Sequence, residues 1–198
     1  EGYEISFMIV FIVLVILLIL YIVYENHTRN KELLKYAQTD ALTGLYNKET
    51  TEQLTDELLS EDENKSHAFL ILDVDCFKQI NDIYGHAVGD IVLQKFGKLL
   101  KGTFREGDIL GRIGGDEFGV IMKNIQTKDI AMKKAEELLA KTQAYKIDEL
   151  KGNNISISIG ISTAPQDGDC YMDLYKRADQ ALYQAKRSGK ARVCNYFS

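Results

Sequence analysis

Two pairs of carboxylates lie at points of the sequence where strands are expected to end. Asp73 and Asp75 follow one apolar run, and Asp116 and Glu117 lie between two others. If these strands are neighbours in one sheet, the carboxylates meet at its rim and repel one another unless a cation lies between them. Carboxylate oxygens suit Mg²⁺ or Mn²⁺, and such ions also bind substrate phosphates. The pattern therefore indicates a metal-assisted site for a phosphate-bearing substrate.

The glycine pair before Asp116 strengthens this interpretation. Gly114 and Gly115 separate the strand-like runs 109–113 and 118–122, which predicts a β-hairpin. Acidic residues in turns are usually only solvated, so neither carboxylate pair indicates function by itself. Two glycines leave the hairpin backbone uncrowded, so that a ligand can approach closely.

The segment after Asp73 contains residues that suit a nucleotide. A strand that turns into a helix can offer backbone N–H groups to a phosphate, and Lys78 adds positive charge. Asn81 and Asp90 supply an amide and a carboxylate, which match a guanine edge because its N1–H and N2–H₂ donate while its O6 accepts. Most such residues in turns cap helices instead, so guanine recognition is at this point one chemical possibility.

A mixed α/β domain beginning at Asp40 must position these residues. Apolar periodicity predicts helices over 48–59, 90–104, 128–144 and 171–187, and strands over 68–74, 109–113, 118–122, 154–163 and 192–197. The alternation of Ile with Ser or Gly in 154–163 predicts a strand that is buried on one face. The order of elements indicates the α/β class, with a single sheet flanked by helices.

Composition excludes several classes of function. The chain has 198 residues and a formal net charge of -5, and its basic residues are dispersed, so no nucleic-acid surface is indicated. Its three cysteines are an odd number without metal-ligand spacing, which argues against a disulfide framework or a zinc site. The histidines are too scattered to form a metal site.

Residues 5–24 form an uncharged, mainly apolar run that is long enough for a transmembrane helix. A helix of about 20 residues spans the roughly 30 Å hydrocarbon core, whereas the apolar region of a signal peptide is shorter. Tyr21 and Tyr24 suit the membrane interface. Basic residues follow the run, so the positive-inside rule places residues 1–4 outside and residues 40–198 in the cytoplasm. We therefore expect a single-pass protein of the bacterial inner membrane.

Residues 25–39 connect the predicted span to the α/β domain. They are polar, with a few apolar positions at helical spacing. This pattern fits a solvated connector helix, and it also fits a dimerising signalling helix that continues the membrane span. Because the chain begins with Glu1, we expect it to be a piece of a longer protein.

Several motifs in order resemble the GGDEF family of diguanylate cyclases. They are 73–82 (DVDCFKQIND), Gly85–His86, Gly89–Asp90 and 112–118 (RIGGDEF), with 40–47 (DALTGLYN) as the opening motif and 185–190 (AKRSGK) as the closing basic motif. The match covers residues 40–198. The resemblance implies a fold like nucleotidyl cyclases and polymerase palm domains. It also implies an enzyme that condenses two GTP molecules into cyclic di-GMP and releases two pyrophosphates.

The resemblance implies a role for each matching residue. Asp73, the carbonyl of Val74 and Asp116 would bind Mg²⁺ or Mn²⁺. Asp116 and Glu117 would be the catalytic carboxylates, one of which accepts the 3′-OH proton. The substrate would be bound by guanine-reading residues (Asn81 and Asp90, with His86 shaping the pocket) and by phosphate-binding residues (Cys76, Phe77, Lys78, Lys186 and Lys190).

A homodimer and product inhibition are also implied. Each subunit would hold one GTP, and each 3′-OH would attack the α-phosphate held by the other subunit. Arg105 and Asp108 lie just before the glycine pair and resemble the family's inhibitory site for cyclic di-GMP. The alternative for these two residues is a surface turn with a local ion pair.

Departures from the family pattern leave the acids intact. Cys76 replaces a larger residue, Lys48 replaces the usual Arg, and Ala191 stands where Asn is frequent. Since Asp73, Asp116 and Glu117 are present, the sequence favours an active enzyme. The alternatives are a catalytically inactive GGDEF domain that binds GTP or cyclic di-GMP as a regulatory module, and a purely structural dimerisation module.

Overall fold

The computed structural model describes residues 14–26, 29, 37–61 and 65–196. The chain divides into two units, with the boundary between Gln38 and Thr39. In the first unit, residues 14–26 are helical (α1). Among the described residues, no helix combines the length and the apolar character needed to cross a membrane. Residues 5–13 of the predicted span, and residues 27, 28 and 30–36 of the predicted connector, lie outside the described part.

The second unit contains one five-stranded sheet in the order β2-β3-β1-β4-β5. All neighbouring pairs are antiparallel except β4 and β5. The predicted α/β class with a single sheet flanked by helices is confirmed. The strands are β1 (His67–Val74), β2 (Ile109–Arg112), β3 (Glu117–Met122), β4 (Ile157–Ala164) and β5 (Val193–Asn195), and the helices are α2 (Lys48–Glu61), α3 (Phe77–Tyr84), α4 (His86–Thr103), α5 (Lys128–Ala144) and α6 (Tyr171–Arg187), with a 3₁₀ turn at Asp148–Leu150.

Successive side chains of β1 point to opposite faces of the sheet, so the core has two layers. Leu70 and Leu72 pack in the layer that contains α4 and α5, whereas Phe69 and Ile71 pack in the layer that contains α2 and α6. Because helices cover both faces, β1 is a continuous apolar run. As the central strand, β1 brings its last residues between β3 and β4.

The structure contradicts the prediction that β4 is buried on one face only, because all its residues are buried. Gly160 faces α6 so closely that a Cβ there would lie 2.1 Å from the carbonyl oxygen of Ala178. The hydroxyl of Ser162 donates to the carbonyl of Leu174 at 2.8 Å. The small residues of β4 therefore permit close helix packing.

The segment between β1 and α4 is more helical than predicted. Helix α3 was not expected, and α4 begins at His86 rather than at Asp90. Gly85, with φ 87°, separates the two helices, and its N–H donates to the carbonyl of Asn81. Asn81 consequently lies on α3, and His86 lies on α4 together with Asp90.

Candidate functional site

The two predicted carboxylate clusters meet at one end of the sheet. Asp73 is the direct partner of Glu117 across the β1–β3 ladder. The N–H of Val74 donates to the carbonyl of Asp116 at 3.2 Å. Asp73 is only 7% exposed, while Asp116 and Glu117 are half-buried. Acids placed opposite each other on neighbouring strands repel, so this carboxylate rim favours a bound cation.

Lys186 offsets part of the negative charge at the rim. Its Nζ lies 2.6 Å from Oδ2 of Asp73. Burial raises the pKa of Asp73 above its usual value, and the charges of Asp116 and Glu117 act in the same direction, while Lys186 opposes them. Because the net shift is upward, Lys186 does not stabilise the ionised carboxylate enough to offset burial and the neighbouring acids. A set of oxygen donors in this environment fits Mg²⁺ or Mn²⁺.

Gly114 makes room for one of the rim acids. A Cβ at Gly114 would lie 2.8 Å from Oε2 of Glu117, so glycine lets this carboxylate fold against the hairpin. A Cβ at Gly115 would meet nothing within 4 Å. The Gly115 carbonyl instead accepts hydrogen bonds from Nε and Nη2 of Arg112 at 3.1 and 2.7 Å. The sequence did not reveal either of these local roles.

Arg112 also connects the hairpin to the start of the domain. Its Nη1 donates to the two carboxylate oxygens of Asp40 at 3.3 and 3.2 Å. Asp40 further accepts hydrogen bonds from the N–H and hydroxyl of Thr43 at 2.8 and 2.7 Å. Burial acts against ionisation, but the Thr43 bonds and the Arg112 charge together hold the pKa of Asp40 below its usual value. The opening motif is thus linked directly to the glycine turn.

Cys76, Phe77 and Lys78, which are predicted to bind phosphate, lie where β1 turns into α3. Cys76 has a left-handed backbone with φ 59° and immediately precedes α3, with Phe77 half-buried and Lys78 exposed. The first N–H groups of a helix have no partner within it, which suits an anion. Lys190 donates from Nζ to Sγ of Cys76 at 3.1 Å, and this hydrogen bond raises the pKa of Lys190. The closing basic motif therefore reaches the turn that begins at Cys76.

The predicted guanine-reading residues lie on adjacent helices. The side chain of Asn81 contacts Gly89, the residue before Asp90, so closely that a Cβ at Gly89 would lie 1.9 Å from Asn81 Oδ1. This oxygen is buried and accepts no hydrogen bond among the described residues. Asp90 and His86 are exposed on α4. Since buried polar atoms normally have partners, the Asn81 oxygen suits a donor from a ligand.

Arg105 and Asp108 form an ion pair in the turn before β2. Arg105 donates from Nε to Oδ1 of Asp108 at 3.2 Å, and this oxygen also accepts the N–H of Lys123 at 3.1 Å. Arg105 further donates from Nη2 to the Lys123 carbonyl. The Arg105 side chain is 62% exposed, and it borders a cavity of about 500 Å³ that Lys134 also lines. Both a ligand site and a surface turn with a local ion pair are compatible with this geometry.

Asp75, which the sequence groups with the predicted metal-binding acids, is hydrogen-bonded to other groups of the protein. It is 7% exposed. Its oxygens accept hydrogen bonds from the hydroxyls of Ser156 and Ser158 at 2.6 and 2.7 Å and from the N–H of Ala191 at 3.2 Å. Asp75 is thus bound differently from Asp73, although the two acids lie at the end of the same strand.

Comparisons with known proteins identify relatives of the chain. Residues 37–192 match the family described as diguanylate cyclase, GGDEF domain. The chain is 37% identical over 170 residues to diguanylate cyclase A of Treponema denticola, an alignment that covers 83% of this chain and 46% of that protein. The matched region therefore spans less than half of the relative's length.

Two solved structures are similar in both fold and sequence. The GGDEF domain of TpbB (YfiN) from Pseudomonas aeruginosa has a TM-score of 0.76 and 33% identity, with 80% of this chain and 94% of that chain covered. The GGDEF domain of DgcB from Caulobacter crescentus, solved in complex with c-di-GMP, has a TM-score of 0.75 and 27% identity, with 82% and 94% covered.

Proposed function

The chain belongs to the GGDEF family of diguanylate cyclases, and we propose that it condenses two GTP molecules into cyclic di-GMP with release of two pyrophosphates. Members of this family are metal-dependent nucleotidyl cyclases. The observation that carries the proposal is the pairing of Asp73 with Glu117, which brings the acids of β1 and β3 together at one rim. Phosphoryl transfer relies mainly on positioning and on charge neutralisation, and both are consistent with this arrangement.

We assign cation binding to Asp73, the carbonyl of Val74 and Asp116. Bound Mg²⁺ or Mn²⁺ would neutralise phosphate oxygens and lower the pKa of the attacking 3′-OH. Asp116 or Glu117 accepts the proton that this hydroxyl releases. The raised pKa of Asp73 supports the assignment, because burial and two neighbouring acids disfavour its negative charge when no cation is bound.

Substrate recognition involves the elements around this rim. Asn81 and Asp90 read guanine while His86 shapes the pocket, and the unpartnered buried oxygen of Asn81 supports this role. The contact between Lys190 and Cys76 supports a phosphate site at the start of α3. The groups that hold the phosphates are the backbone N–H groups of Cys76 and Phe77 and the side chains of Lys78, Lys186 and Lys190.

One chain provides half of the reaction centre. Each subunit of a homodimer would hold one GTP, so that each 3′-OH faces the α-phosphate bound by the partner subunit. Such alignment removes much of the entropic barrier of a bimolecular reaction. Cyclic di-GMP would inhibit through Arg105 and Asp108, because a guanidinium binds phosphate or a guanine edge with paired hydrogen bonds. The similar DgcB domain, solved with c-di-GMP, supports product binding by this family.

We further propose that residues 5–24 anchor the protein in the bacterial cytoplasmic membrane, with residues 40–198 in the cytoplasm. In the described part of this run, the apolar side chains from Leu14 to Tyr24 are between 37% and 71% exposed, as expected for a helix that contacts lipid. The full chain should remain in the membrane pellet after washing with carbonate, whereas a chain beginning at Thr39 should not. Release of the full chain by carbonate would contradict the anchor.

An assay with GTP and Mg²⁺ tests the enzymatic activity. The purified chain, brought to a dimer by a fused coiled coil if necessary, should form cyclic di-GMP and pyrophosphate that chromatography detects. Binding of GTP without turnover in the enforced dimer would instead indicate an inactive GGDEF domain with a regulatory role. A chain that binds neither GTP nor cyclic di-GMP would fit a structural dimerisation module.

A further inference from the structure

The loop that carries Lys190 has an unusual backbone. Gly189, Lys190 and Ala191 have φ values of 110°, 60° and 49°. Left-handed conformations are unfavourable for residues with a Cβ, and they persist where surrounding contacts hold them. Residue 191 is alanine, which adopts a left-handed backbone less readily than asparagine does. Contacts outside the loop must therefore stabilise its conformation.

Asp75 provides such a contact from the end of β1. Its Oδ2 accepts the N–H of Ala191 at 3.2 Å. Backbone hydrogen bonds fix the loop on either side, from Lys190 N–H to the Ala185 carbonyl at 3.1 Å and from Ile159 N–H to the Arg192 carbonyl at 2.9 Å. Asp75 thus holds the loop at Ala191, the residue next to Lys190. This contact lies between the hydrogen bond that joins the loop to α6 and the one that joins it to β4.

The carboxylate of Asp75 is itself held firmly by the start of β4. Ser158 donates to Oδ1 at 2.7 Å, Ser156 donates to Oδ2 at 2.6 Å, and the N–H of Asp75 donates to the Ser156 carbonyl at 2.9 Å. Hydrogen bonds to an ionised acceptor are shorter and stronger than those between neutral groups. Since donors of the protein occupy both oxygens, Asp75 is a rigid support for the loop and not a free ligand for a cation.

We propose that Asp75 is a positioning residue for phosphate binding, which fixes Ala191 and thereby aims Lys190 at the turn that begins at Cys76. The 3.1 Å contact between Lys190 Nζ and Cys76 Sγ is the result of this placement. The proposal rests on the phosphate-binding role proposed above for Lys190. It separates the two acids at the end of β1, because Asp73 acts on the cation while Asp75 acts through Lys190.

A double-mutant cycle in the full chain tests this coupling. Asp75→Ala and Lys190→Ala should each raise the KM for GTP by a similar factor, roughly 3- to 10-fold for one solvent-exposed charged contact. In the Lys190→Ala background, Asp75→Ala should raise KM no further. The Mg²⁺ concentration for half-maximal rate should stay at its wild-type value in Asp75→Ala, because Asp75 is not a cation ligand.

Asp167 offers a matched control at the other end of β4. It is 3% exposed and accepts hydrogen bonds from the N–H and hydroxyl of Thr163 at 2.7 and 2.8 Å. Asp167→Ala should destabilise the fold about as much as Asp75→Ala but keep the wild-type KM. Asp75→Asn keeps one oxygen for Ala191 while its amide can donate to Ser158, so it should restore most of the lost affinity. If Asp75→Ala does not fold, the double variant Asp75→Val/Ser158→Ala takes its place in the KM measurement. It replaces the carboxylate and one of its donors by apolar groups.

Amide hydrogen exchange provides a second measurement that needs no GTP. The N–H of Ala191 should exchange faster in Asp75→Ala than in wild type or in Asp167→Ala. The positioning role would be overturned if folded Asp75→Ala had the wild-type KM for GTP. It would also be overturned if the two substitutions raised KM by the product of their separate factors in the double variant, or if Asp75→Ala changed the Mg²⁺ requirement. If the wild-type chain does not bind GTP, the proposed function fails instead, and the exchange rate of Ala191 still shows whether Asp75 holds the loop.

Discussion

Replacing Gly89 by alanine tests whether Asn81 reads guanine. Gly89 lies within α4, and a Cβ at this position would lie 1.9 Å from Asn81 Oδ1, 3.0 Å from its Cγ and 3.2 Å from Cζ of Phe77. Because the oxygen is at the end of a rotatable side chain, Asn81 can turn away without disturbing the backbone. The substitution should therefore displace the Asn81 amide while the fold persists.

Two opposing effects determine how much Gly89→Ala changes the free energy of unfolding. Alanine is more favourable than glycine inside a helix by roughly 0.5–1 kcal/mol, which offsets part of the displacement of Asn81. The free energy of unfolding should thus stay within about 1 kcal/mol of wild type. Loss of the Asn81 contact should weaken GTP binding by about 1–3 kcal/mol, a rise in KM of roughly 5- to 150-fold.

Initial rates of cyclic di-GMP formation against GTP concentration measure this effect. Gly102→Ala is the matched control, because Gly102 lies in the same helix and a Cβ there would meet nothing within 4 Å. It should be at least as stable as wild type and keep the wild-type KM. The preference for GTP over inosine triphosphate, which lacks the 2-amino group, should also fall in Gly89→Ala. A folded Gly89→Ala variant with wild-type KM would refute the role of Asn81.

Four further predictions concern other parts of the domain. Arg112→Ala should lower the free energy of unfolding in urea by about 1.5–3 kcal/mol, because it removes charged hydrogen bonds to the part-buried Asp40 carboxylate and to the Gly115 carbonyl. The folded-state pKa of Asp40 is lowered, so its carboxylate stabilises the fold fully above about pH 4 and loses this effect as pH falls through the folded pKa. The difference in unfolding free energy between wild type and Asp40→Asn should follow the same pH dependence. A difference that is the same at all pH values would contradict this prediction. Gly160→Ala should destabilise by about 3 kcal/mol or more in thermal unfolding, since its Cβ would meet the backbone of α6 at 2.1 Å, and an unchanged melting temperature would exclude this packing. Arg105→Ala should raise the cyclic di-GMP concentration for half inhibition at least about tenfold, whereas unchanged inhibition would make Arg105 part of a surface turn only.

Long amphipathic helices were the most predictable elements of the fold. The bounds 128–144 and 171–187 of α5 and α6 were predicted correctly, because regular apolar spacing continues over their whole length. Helix α3 was missed since it is only 8 residues long and follows the strand almost directly. The prediction for β4 was wrong because periodicity does not distinguish small residues facing solvent from small residues facing a closely packed helix.

The rim acids Asp73, Asp116 and Glu117 could be placed from sequence because strand ends next to a hairpin converge in a sheet. The different positions of Asp73 and Asp75 could not be predicted. Both acids lie at the end of β1, but Asp75 is held by Ser156 and Ser158, which lie 81 and 83 residues further along the chain. The link between Arg112 and Asp40 spans 72 residues and likewise depends on tertiary structure. Sequence spacing indicates which residue types meet, whereas partners from distant strands decide what each one does.

Turnover by Asp116→Ala tests the central proposal most directly. Chromatography should detect cyclic di-GMP from the dimeric wild-type chain with GTP and Mg²⁺, and only background product from the variant. The variant should remain folded, with a melting temperature close to that of wild type, because Asp116 is half-buried in the turn that precedes β3. Synthesis by folded Asp116→Ala at near the wild-type rate would contradict the assignment of catalysis to the carboxylate rim.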